Sequence, residues 1–280
     1  MTMRLSLHTW TLDTTPLAEA LAVIKKTGWD AVELRRLDFE RAAQAGQSAD
    51  QVLALVRASG LPVACVGVEL GWVWATGEER ARLLRVFAEQ AARAKALDCT
   101  TIMSPVDRGR GDVAEAARSI REVGDIAREH GVRLAVEFNS QCEQLNALAP
   151  MREVMARAGH PQTGLLLDTY HLGRTGASPR DIEDVRPEEI AYVQYSDVPR
   201  TGLEPGKALD RLPPGQGSVP FREFFAAFAR RGYAGYASYE APNPAAWKRP
   251  AEDVAREALA ATRAVLPEGQ ETPCDTASAR

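Results

Sequence analysis

The sequence predicts an α/β fold, a closed (β/α)8 TIM barrel in which parallel strands are surrounded by helices. One phrase recurs along the chain: an amphipathic helix, a glycine, then a short apolar strand. Eight such strands are predicted within 280 residues, and a (β/α)8 barrel typically takes about 250. An open doubly wound sheet, the alternative, would place a glycine-rich phosphate loop after its first strand. Residues 9–16, TWTLDTTP, contain no glycine at that position.

The first half of the chain contains four predicted strands. They are Arg4–His8, Asp30–Leu34, Val63–Val68 and Cys99–Met103. Apolar residues at helical spacing predict helices between them, at Leu17–Ile24, Val52–Val56 and Leu83–Ala94. Gly28 and Gly60 follow the first two helices, as expected for helix C-terminal stops. Because each strand is separated from the next by a helical crossover, the strands are expected to be parallel.

The second half repeats the pattern. Its predicted strands are Arg133–Phe138, Gly164–Asp168, Ile190–Tyr195 and Gly235–Glu240. Its predicted helices are Val113–Ala127, residues 147–158, residues 178–186, Phe221–Phe228 and Val254–Val265. Residues 1–266 are therefore assigned to one barrel. Residues 267–280 are polar and small without periodicity, and we expect a disordered tail.

Composition limits the classes of partner and compartment. The formal net charge is −4, which gives no basic footprint for nucleic acid. No apolar run approaches the roughly 18 residues of a membrane span, and the N-terminus lacks the apolar centre of a signal peptide. The four cysteines lack CxxC spacing, which is typical of reduced thiols. We expect a cytoplasmic protein with a small-molecule substrate and no nucleic-acid or membrane partner.

Four polar residues close or nearly close the last four predicted strands: Glu137, Asp168, Gln194 and Glu240. The carboxyl ends of barrel strands meet at one mouth, where the active sites of such folds lie. Carboxylates crowded in a dry pocket repel one another, and a divalent cation removes that cost. Oxygen ligands suit hard ions such as Mg²⁺ or Mn²⁺. Taken singly, each acid could be a solvated loop residue, and Asp168 could simply cap the next helix.

Other residues near the predicted mouth have two interpretations each. His171 lies one loop beyond Asp168 and could bind metal or substrate, whereas His8 and Trp10 could line the pocket. Core packing is the alternative for Trp10. Glu33 and Arg35 could simply pair with each other. The tryptophans at positions 72 and 74 could form an apolar pocket wall or pack within their loop.

Longer motifs make the chain resemble a known superfamily. They are Val136-Glu137-Phe138, Leu167-Asp168-Thr169-Tyr170-His171, Val193-Gln194-Tyr195-Ser196-Asp197, the segment Asp210–Gly217 (DRLPPGQG) and the segment Gly232–Glu240 (GYAGYASYE). With these motifs the chain resembles the xylose isomerase-like sugar isomerases and epimerases. Within them it is most similar to the group of 2-keto-myo-inositol isomerase, inosose dehydratase and hydroxypyruvate isomerase. The resemblance covers the barrel to about residue 266.

The resemblance implies roles for individual residues. It makes Glu137, Asp168, Gln194 and Glu240 the metal ligands, and it places His171 and Arg211 against the substrate. Many members of the superfamily have histidine where this chain has Gln194. Since an amide oxygen is a harder ligand than imidazole, we expect Mn²⁺ or Mg²⁺, with Co²⁺ and Zn²⁺ as alternatives. The resemblance also makes a homodimer or homotetramer the expected assembly.

The implied reaction is metal-assisted proton transfer on a keto-sugar or keto-cyclitol resembling 2-keto-myo-inositol. Glu137 or Glu240 would remove a proton beside the carbonyl, and its return would give an isomer or an epimer. The segment Asp210–Gly217 is interpreted as a shaped loop over the mouth, or else as a plain connector. A dehydratase of the inosose or 3-dehydroshikimate type, and a non-catalytic sugar-binding protein, are the alternatives. Endonuclease IV-like repair is disfavoured, because the chain has four histidines and a negative charge.

Overall fold

The computed structural model describes residues 3–267, and in these residues eight parallel strands close into a barrel in chain order. The strands are β1 Arg4–His8, β2 Ala31–Leu34, β3 Val63–Gly67, β4 Thr101–Pro105, β5 Arg133–Glu137, β6 Thr163–Asp168, β7 Ile190–Tyr195 and β8 Tyr236–Tyr239. β1 pairs with β8 and so closes the ring. The predicted (β/α)8 TIM barrel is confirmed.

Helices surround the strands. They are α1 Leu17–Thr27, α2 Arg36–Gln44, α3 Ala49–Ser59, α4 Gly77–Ala96, α5 Val113–His130, α6 Leu148–Ala158, α7 Thr169–Arg174, α8 Phe221–Arg230 and α9 Ala251–Val265. Short 3-10 turns lie at Thr9–Leu12, Pro179–Ile182, Pro187–Glu189 and Ala246–Lys248. Except for Pro267, the predicted tail lies outside the described residues. No helix in the part of the chain that the structure describes is long and apolar enough to cross a membrane.

Two helical predictions were wrong in detail. Sequence periodicity missed α2, which begins after Arg35, whose backbone N–H donates to the Asp38 carboxylate at 2.8 Å. The predicted helix at residues 178–186 contains only a 3-10 turn, because prolines stand at its start and directly after it. The true helix after β6 is the short α7, which starts at Thr169 as soon as the strand ends.

The alternation of side chains along the strands builds the site. Ala31, Ala135, Leu166 and Tyr192 belong to a small apolar cluster formed by residues of β2, β3, β4, β5, β6 and β7. Successive side chains of a strand point to opposite faces, so residues two places further along face the same side. Those residues are Glu33, Glu137, Asp168 and Gln194. The barrel interior is therefore apolar at the level of Ala31 and Ala135, and polar in the next layer, at the carboxyl-terminal mouth.

Candidate active site

All four predicted metal ligands lie together at this mouth. Glu137 and Asp168 are the last residues of β5 and β6, Gln194 is the penultimate residue of β7, and Glu240 directly follows β8. Asp168 and Gln194 are paired in the register of their strands. All four side chains are buried, with at most 5% of each residue exposed. Carboxylates buried so deeply are stabilised either by a compensating cation or by taking up protons.

Arg211 supplies positive charge to this cluster. Its Nη1 donates to Asp168 Oδ2 at 2.7 Å and to Glu240 Oε2 at 2.8 Å. Burial alone would lower the pKa of Arg211, but the carboxylates of Asp168, Glu240 and Glu137 raise it instead. The resemblance implied a residue that binds substrate, and the structure places Arg211 within the carboxylate cluster itself.

Two buried oxygens in this cluster have no hydrogen-bond partner among residues 3–267. They are Glu137 Oε1 and Gln194 Oε1. In addition, ligand atoms of Glu137, Asp168 and His171 lie within 4.8 Å of one another. Unpartnered buried acceptors are costly, and a hard cation would satisfy them. The donor set therefore fits a divalent metal ion, provided that Arg211 gives up its place between Asp168 and Glu240.

The pKa values of two carboxyl groups in the cluster are raised above their ordinary values. Burial raises the pKa of Glu137 well above its ordinary value, and the neighbouring charges of Asp168 and Glu240 raise it further. Burial also raises the pKa of Asp168, although Arg211 opposes that shift. Carboxyl groups with raised pKa values can accept and return protons near neutral pH, as acid–base catalysis requires.

Asp168 caps the next helix, which was one of its two interpretations. Its Oδ1 accepts the backbone N–H of Tyr170 at 2.9 Å and thereby caps α7, while its Oδ2 meets Arg211. The capping interaction fixes the carboxylate at the strand end, so the structural role and a ligand role do not exclude each other.

His171 faces the same cluster from α7. Its Nε2 lies 3.7 Å from Glu137 Oε1 and 3.3 Å from Arg211 Nη2. Its Nδ1 accepts the backbone N–H of Ser140 at 3.2 Å. Burial and the charge of Arg211 lower the pKa of His171 well below its usual value. The imidazole is therefore neutral at pH 7 and lies beside Glu137.

His8 reaches the mouth from β1 on the opposite side. Its Nδ1 accepts the backbone N–H of Trp10 at 3.0 Å, which leaves Nε2 to carry the ring proton. That Nε2 lies 3.4 Å from Glu240 Oε1. Burial lowers the pKa of His8 well below its ordinary value, so the ring is neutral. Trp10 is half-buried and lines the cavity at the mouth.

Glu33 is the member of this cluster that sequence reasoning missed. It accepts hydrogen bonds from Gln194 Nε2 at 2.8 Å and from the Tyr192 hydroxyl at 3.2 Å. Burial and the charge of Glu240 raise the pKa of Glu33 to about 8. The interpretation of an ion pair with Arg35 was wrong: Arg35 Nη1 instead lies 2.5 Å from Asp13.

The segment between β7 and α8 is held in a defined conformation by hydrogen bonds, and it places Arg211 at the mouth. Leu212 forms an antiparallel bridge with Asp197. The buried carboxylate of Asp197 accepts the backbone N–H groups of Gly217 at 2.7 Å and of Val219 at 2.9 Å. The Arg211 guanidinium also stacks over the Tyr170 ring, with 4.3 Å between its carbon and the ring centroid.

Both tryptophans pack within the protein and neither lines the cavity at the mouth. Trp72 is fully buried, packs edge-on against Phe87 and donates its indole N–H to the Ser104 hydroxyl at 2.8 Å. It is a core residue. Trp74 is half-buried, and its ring lies close against Gly111. Both therefore follow the loop-packing interpretation.

A cavity of about 540 Å³ opens above the cluster. His8, Glu137, His171, Arg211 and Glu240 line its floor. This volume accommodates a single small molecule.

Comparison with known proteins identifies the family. The sequence profile of the xylose isomerase-like TIM barrel family matches residues 21–265. The chain belongs to this family. The matched range runs from within α1 to the end of α9. It therefore includes all four strand ends that carry the candidate metal ligands.

Three individual proteins that match this chain are 20–30% identical to it in the aligned residues. An inosose isomerase of Halalkalibacterium halodurans is 24% identical over 268 residues, or 91% of this chain and 93% of that protein. A 3-dehydroshikimate dehydratase of Pseudomonas aeruginosa is 30% identical over 138 residues, which span 48% of this chain and 21% of that protein. A solved structure described as the IOLI protein with a binding zinc atom superposes with a TM-score of 0.83 at 20% identity, covering 94% and 98% of the two chains.

Proposed function

We propose that this protein is a divalent-metal-dependent isomerase or epimerase of a keto-sugar or keto-cyclitol of the inosose type. The observation that carries the proposal is the pair of buried, unpartnered oxygens of Glu137 and Gln194 within a cluster of carboxylates. The similarity to an inosose isomerase over nearly the whole chain supports the substrate class. The protein is an enzyme of the sugar isomerase and epimerase kind.

Glu137, Asp168, Gln194 and Glu240 would hold the metal ion. Mn²⁺ or Mg²⁺ is the proposed ion because every one of these donors is an oxygen. When bound, the ion supplies positive charge to the substrate oxygens that become negative as the neighbouring carbon loses its proton. A zinc atom is named in the solved IOLI structure, so Zn²⁺ belongs in any metal comparison.

The two glutamates would move the proton. Glu137 leaves β5 and Glu240 follows β8, so the two carboxyl groups approach the mouth from strands that are not neighbours. A substrate lying between them would present one face to each. Removal and return by one glutamate between adjacent carbons moves the carbonyl, whereas return by the other glutamate inverts the carbon.

The remaining residues would bind and orient the substrate. Arg211, once free of Asp168 and Glu240, offers a rigid cation to a substrate oxygen. Neutral His8 presents its Nε2 proton beside Glu240 and can donate to a hydroxyl. His171 lies beside Glu137 and can hold or exchange a hydroxyl proton. Trp10 lines the cavity as an apolar wall.

Dehydration is the second candidate function. It is favoured by the 3.7 Å approach of His171 Nε2 to Glu137 Oε1, because a proton that Glu137 takes from carbon could be passed through the imidazole to a departing hydroxyl, which leaves as water. The similarity to a 3-dehydroshikimate dehydratase supports this reading for about half of the chain. Both reactions begin with the same proton removal, so the base and metal would be shared.

We further propose that the enzyme acts in the cytoplasm on a small molecule, without nucleic-acid or membrane partners. Three described cysteines, Cys65, Cys99 and Cys142, are buried free thiols, as expected for a reducing compartment. Assembly as a homodimer or homotetramer remains a prediction.

Proton NMR in D₂O would test the proposed function. Metal-stripped protein is compared with Mn²⁺-loaded protein on 2-keto-myo-inositol, 3-dehydroshikimate and several ketoses. Metal-dependent deuterium incorporation beside the carbonyl, together with a new isomer, is the expected result. A new vinylic product from the inosose or a ketose, or an aromatic product from 3-dehydroshikimate, would assign the dehydratase reaction instead. Absence of exchange on every substrate despite bound metal would contradict both.

A further inference from the structure

The amide group of Gln194 has a fixed direction in the barrel. Its Nε2 donates to Glu33 Oε1 at 2.8 Å, while its Oε1 is buried and unpartnered within the described part of the chain. The nitrogen thus faces β2 across the barrel interior, and the oxygen is left for the cluster with Asp168. An amide has only one end that can bind a cation, so its direction decides whether Gln194 is a ligand at all.

Glu33 is well anchored for this task. The residue is fully buried, and its second oxygen, Oε2, accepts the Tyr192 hydroxyl at 3.2 Å. The Tyr192 hydroxyl in turn lies 3.3 Å from the Ser6 hydroxyl. The carboxyl group is therefore fixed from behind, and its Oε1 is available to accept from Gln194.

We infer that Glu33 is a positioning residue that turns the oxygen of Gln194 toward the metal ion. Without an acceptor at position 33, the amide nitrogen would satisfy itself on a carboxylate of the cluster. Asp168, which is paired with Gln194 in the β6–β7 register, is the nearest choice along the sheet. The nitrogen would then face the cation site, and one oxygen ligand would be lost. This inference rests on the proposed function, because it requires Gln194 to be a ligand.

A set of variants tests the acceptor at position 33. Glu33→Met fills a similar volume but offers no acceptor, whereas Glu33→Gln replaces the carboxyl group and keeps one acceptor oxygen. If Glu33 acts by position, Glu33→Met lowers the Mn²⁺ affinity by about 10–100-fold and Glu33→Gln lowers it by less than about tenfold. Tyr192→Phe removes one of the hydrogen bonds that fix Glu33 and leaves the one to Gln194, so it should lower the Mn²⁺ affinity less than Glu33→Met does.

A second background removes the need for direction. In Gln194→Glu both side-chain oxygens accept, so the ligand has no wrong end. Adding Glu33→Met to that background should then cost no Mn²⁺ affinity, because no amide nitrogen remains that could face the cation. Free Mn²⁺ is measured by its EPR signal during titration of each protein, which needs no activity. Circular dichroism checks folding, and Glu33→Leu replaces Glu33→Met if the latter fails to fold.

The outcomes are distinct. Equal losses in Glu33→Met and Glu33→Gln, or an undiminished loss from Glu33→Met in the Gln194→Glu background, would overturn the positioning role. The variant Gln194→Ala tests the proposed function beneath it. If Gln194→Ala binds Mn²⁺ as tightly as the unaltered protein, Gln194 is not a ligand and both the ligand set and the inference fail. If Gln194→Ala loses affinity but Glu33→Met does not, only the inference fails.

Discussion

Nη1 of Arg211 lies 2.7 Å from Oδ2 of Asp168, and the two side chains are buried to 97% or more. Asp168 closes β6, whereas Arg211 is carried by the segment between β7 and α8. The same Nη1 reaches Glu240 at 2.8 Å. The guanidinium thus occupies the position between two carboxylates where a bound cation would be expected, which makes stability and metal binding interdependent.

Removing Arg211 should therefore destabilise the metal-free protein. Arg211→Met leaves two buried carboxylates without their cation, which costs about 3–5 kcal/mol. Saturating Mn²⁺ should restore much of that loss, so the metal-induced rise in Tm should exceed that of the unaltered protein. Differential scanning calorimetry with EDTA or Mn²⁺ measures both effects.

Arg82→Met is the matched control for that experiment. Arg82 pairs with Glu69 and Glu79 on the surface, and such solvent-screened pairs contribute little to the free energy of unfolding. If Arg211→Met lowers the free energy of unfolding no more than Arg82→Met does, and its Tm gains no added response to Mn²⁺, then Arg211 does not compensate the charges of Asp168 and Glu240.

The metal-free protein should lose stability as the pH rises from about 4.5 to about 8. Glu33 has a folded pKa of about 8 against an ordinary value of 4.5, so the folded protein keeps a proton that the unfolded chain releases in this range. The free energy of unfolding then falls by up to about 1.4 kcal/mol per pH unit from this group. Glu33→Gln should flatten the slope, as measured by urea unfolding in EDTA.

Glu189→Gln provides the control for the pH series. Although burial opposes it, Arg152 and Arg186 lower the pKa of Glu189 to about 2. Its contribution to stability is therefore lost only as the pH falls from about 4.5 through 2, and the slope between pH 5 and 8 should not change. A Glu33→Gln slope equal to that of the unaltered protein would show that Glu33 does not keep its proton.

The loop that carries Arg211 should be sensitive to added volume at Gly217. A Cβ on Gly217 would overlap the carbonyl oxygen of Val198 and the carboxylate of Asp197. Gly217→Ala must therefore shift this loop, and a displacement of about 1 Å at a catalytic site can cost 100-fold in rate. We expect kcat to fall more than the Mn²⁺ affinity. Gly109→Ala is the control: a Cβ there meets no neighbour within 4 Å, so kcat should be unchanged. Similar losses of kcat in both variants would argue against a specific role for the loop that carries Arg211.

Substitutions of the two glutamates should affect different steps of the reaction. At saturating Mn²⁺, replacing the glutamate that removes the proton by glutamine should slow solvent exchange by about 10²–10⁴-fold. Replacing the other should preserve exchange and change the product if the reaction inverts a carbon. Glu137→Gln and Glu240→Gln are compared by deuterium incorporation and product NMR. Full exchange and unchanged product in both variants would remove the glutamates from the mechanism.

Much of the site follows from local pattern, and the exceptions have physical causes. Glu137 and Asp168 end short apolar strands, so their position at the mouth was predictable. Glu33 was missed although it shares that pattern, being two residues beyond the inward-facing Ala31 on β2. The contact between Arg211 and Asp168 depends on a bridge formed after a long loop, and strand or helix periodicity carries no signal for it.

Anomalous diffraction from Mn²⁺-soaked crystals would locate the proposed metal ion. We expect one strong peak at the mouth, about 2.0–2.3 Å from oxygens of Glu137, Asp168, Gln194 and Glu240, with Arg211 displaced from Asp168. A saturating soak that gives no peak among these four residues, or that leaves Arg211 between Asp168 and Glu240, would contradict this expectation.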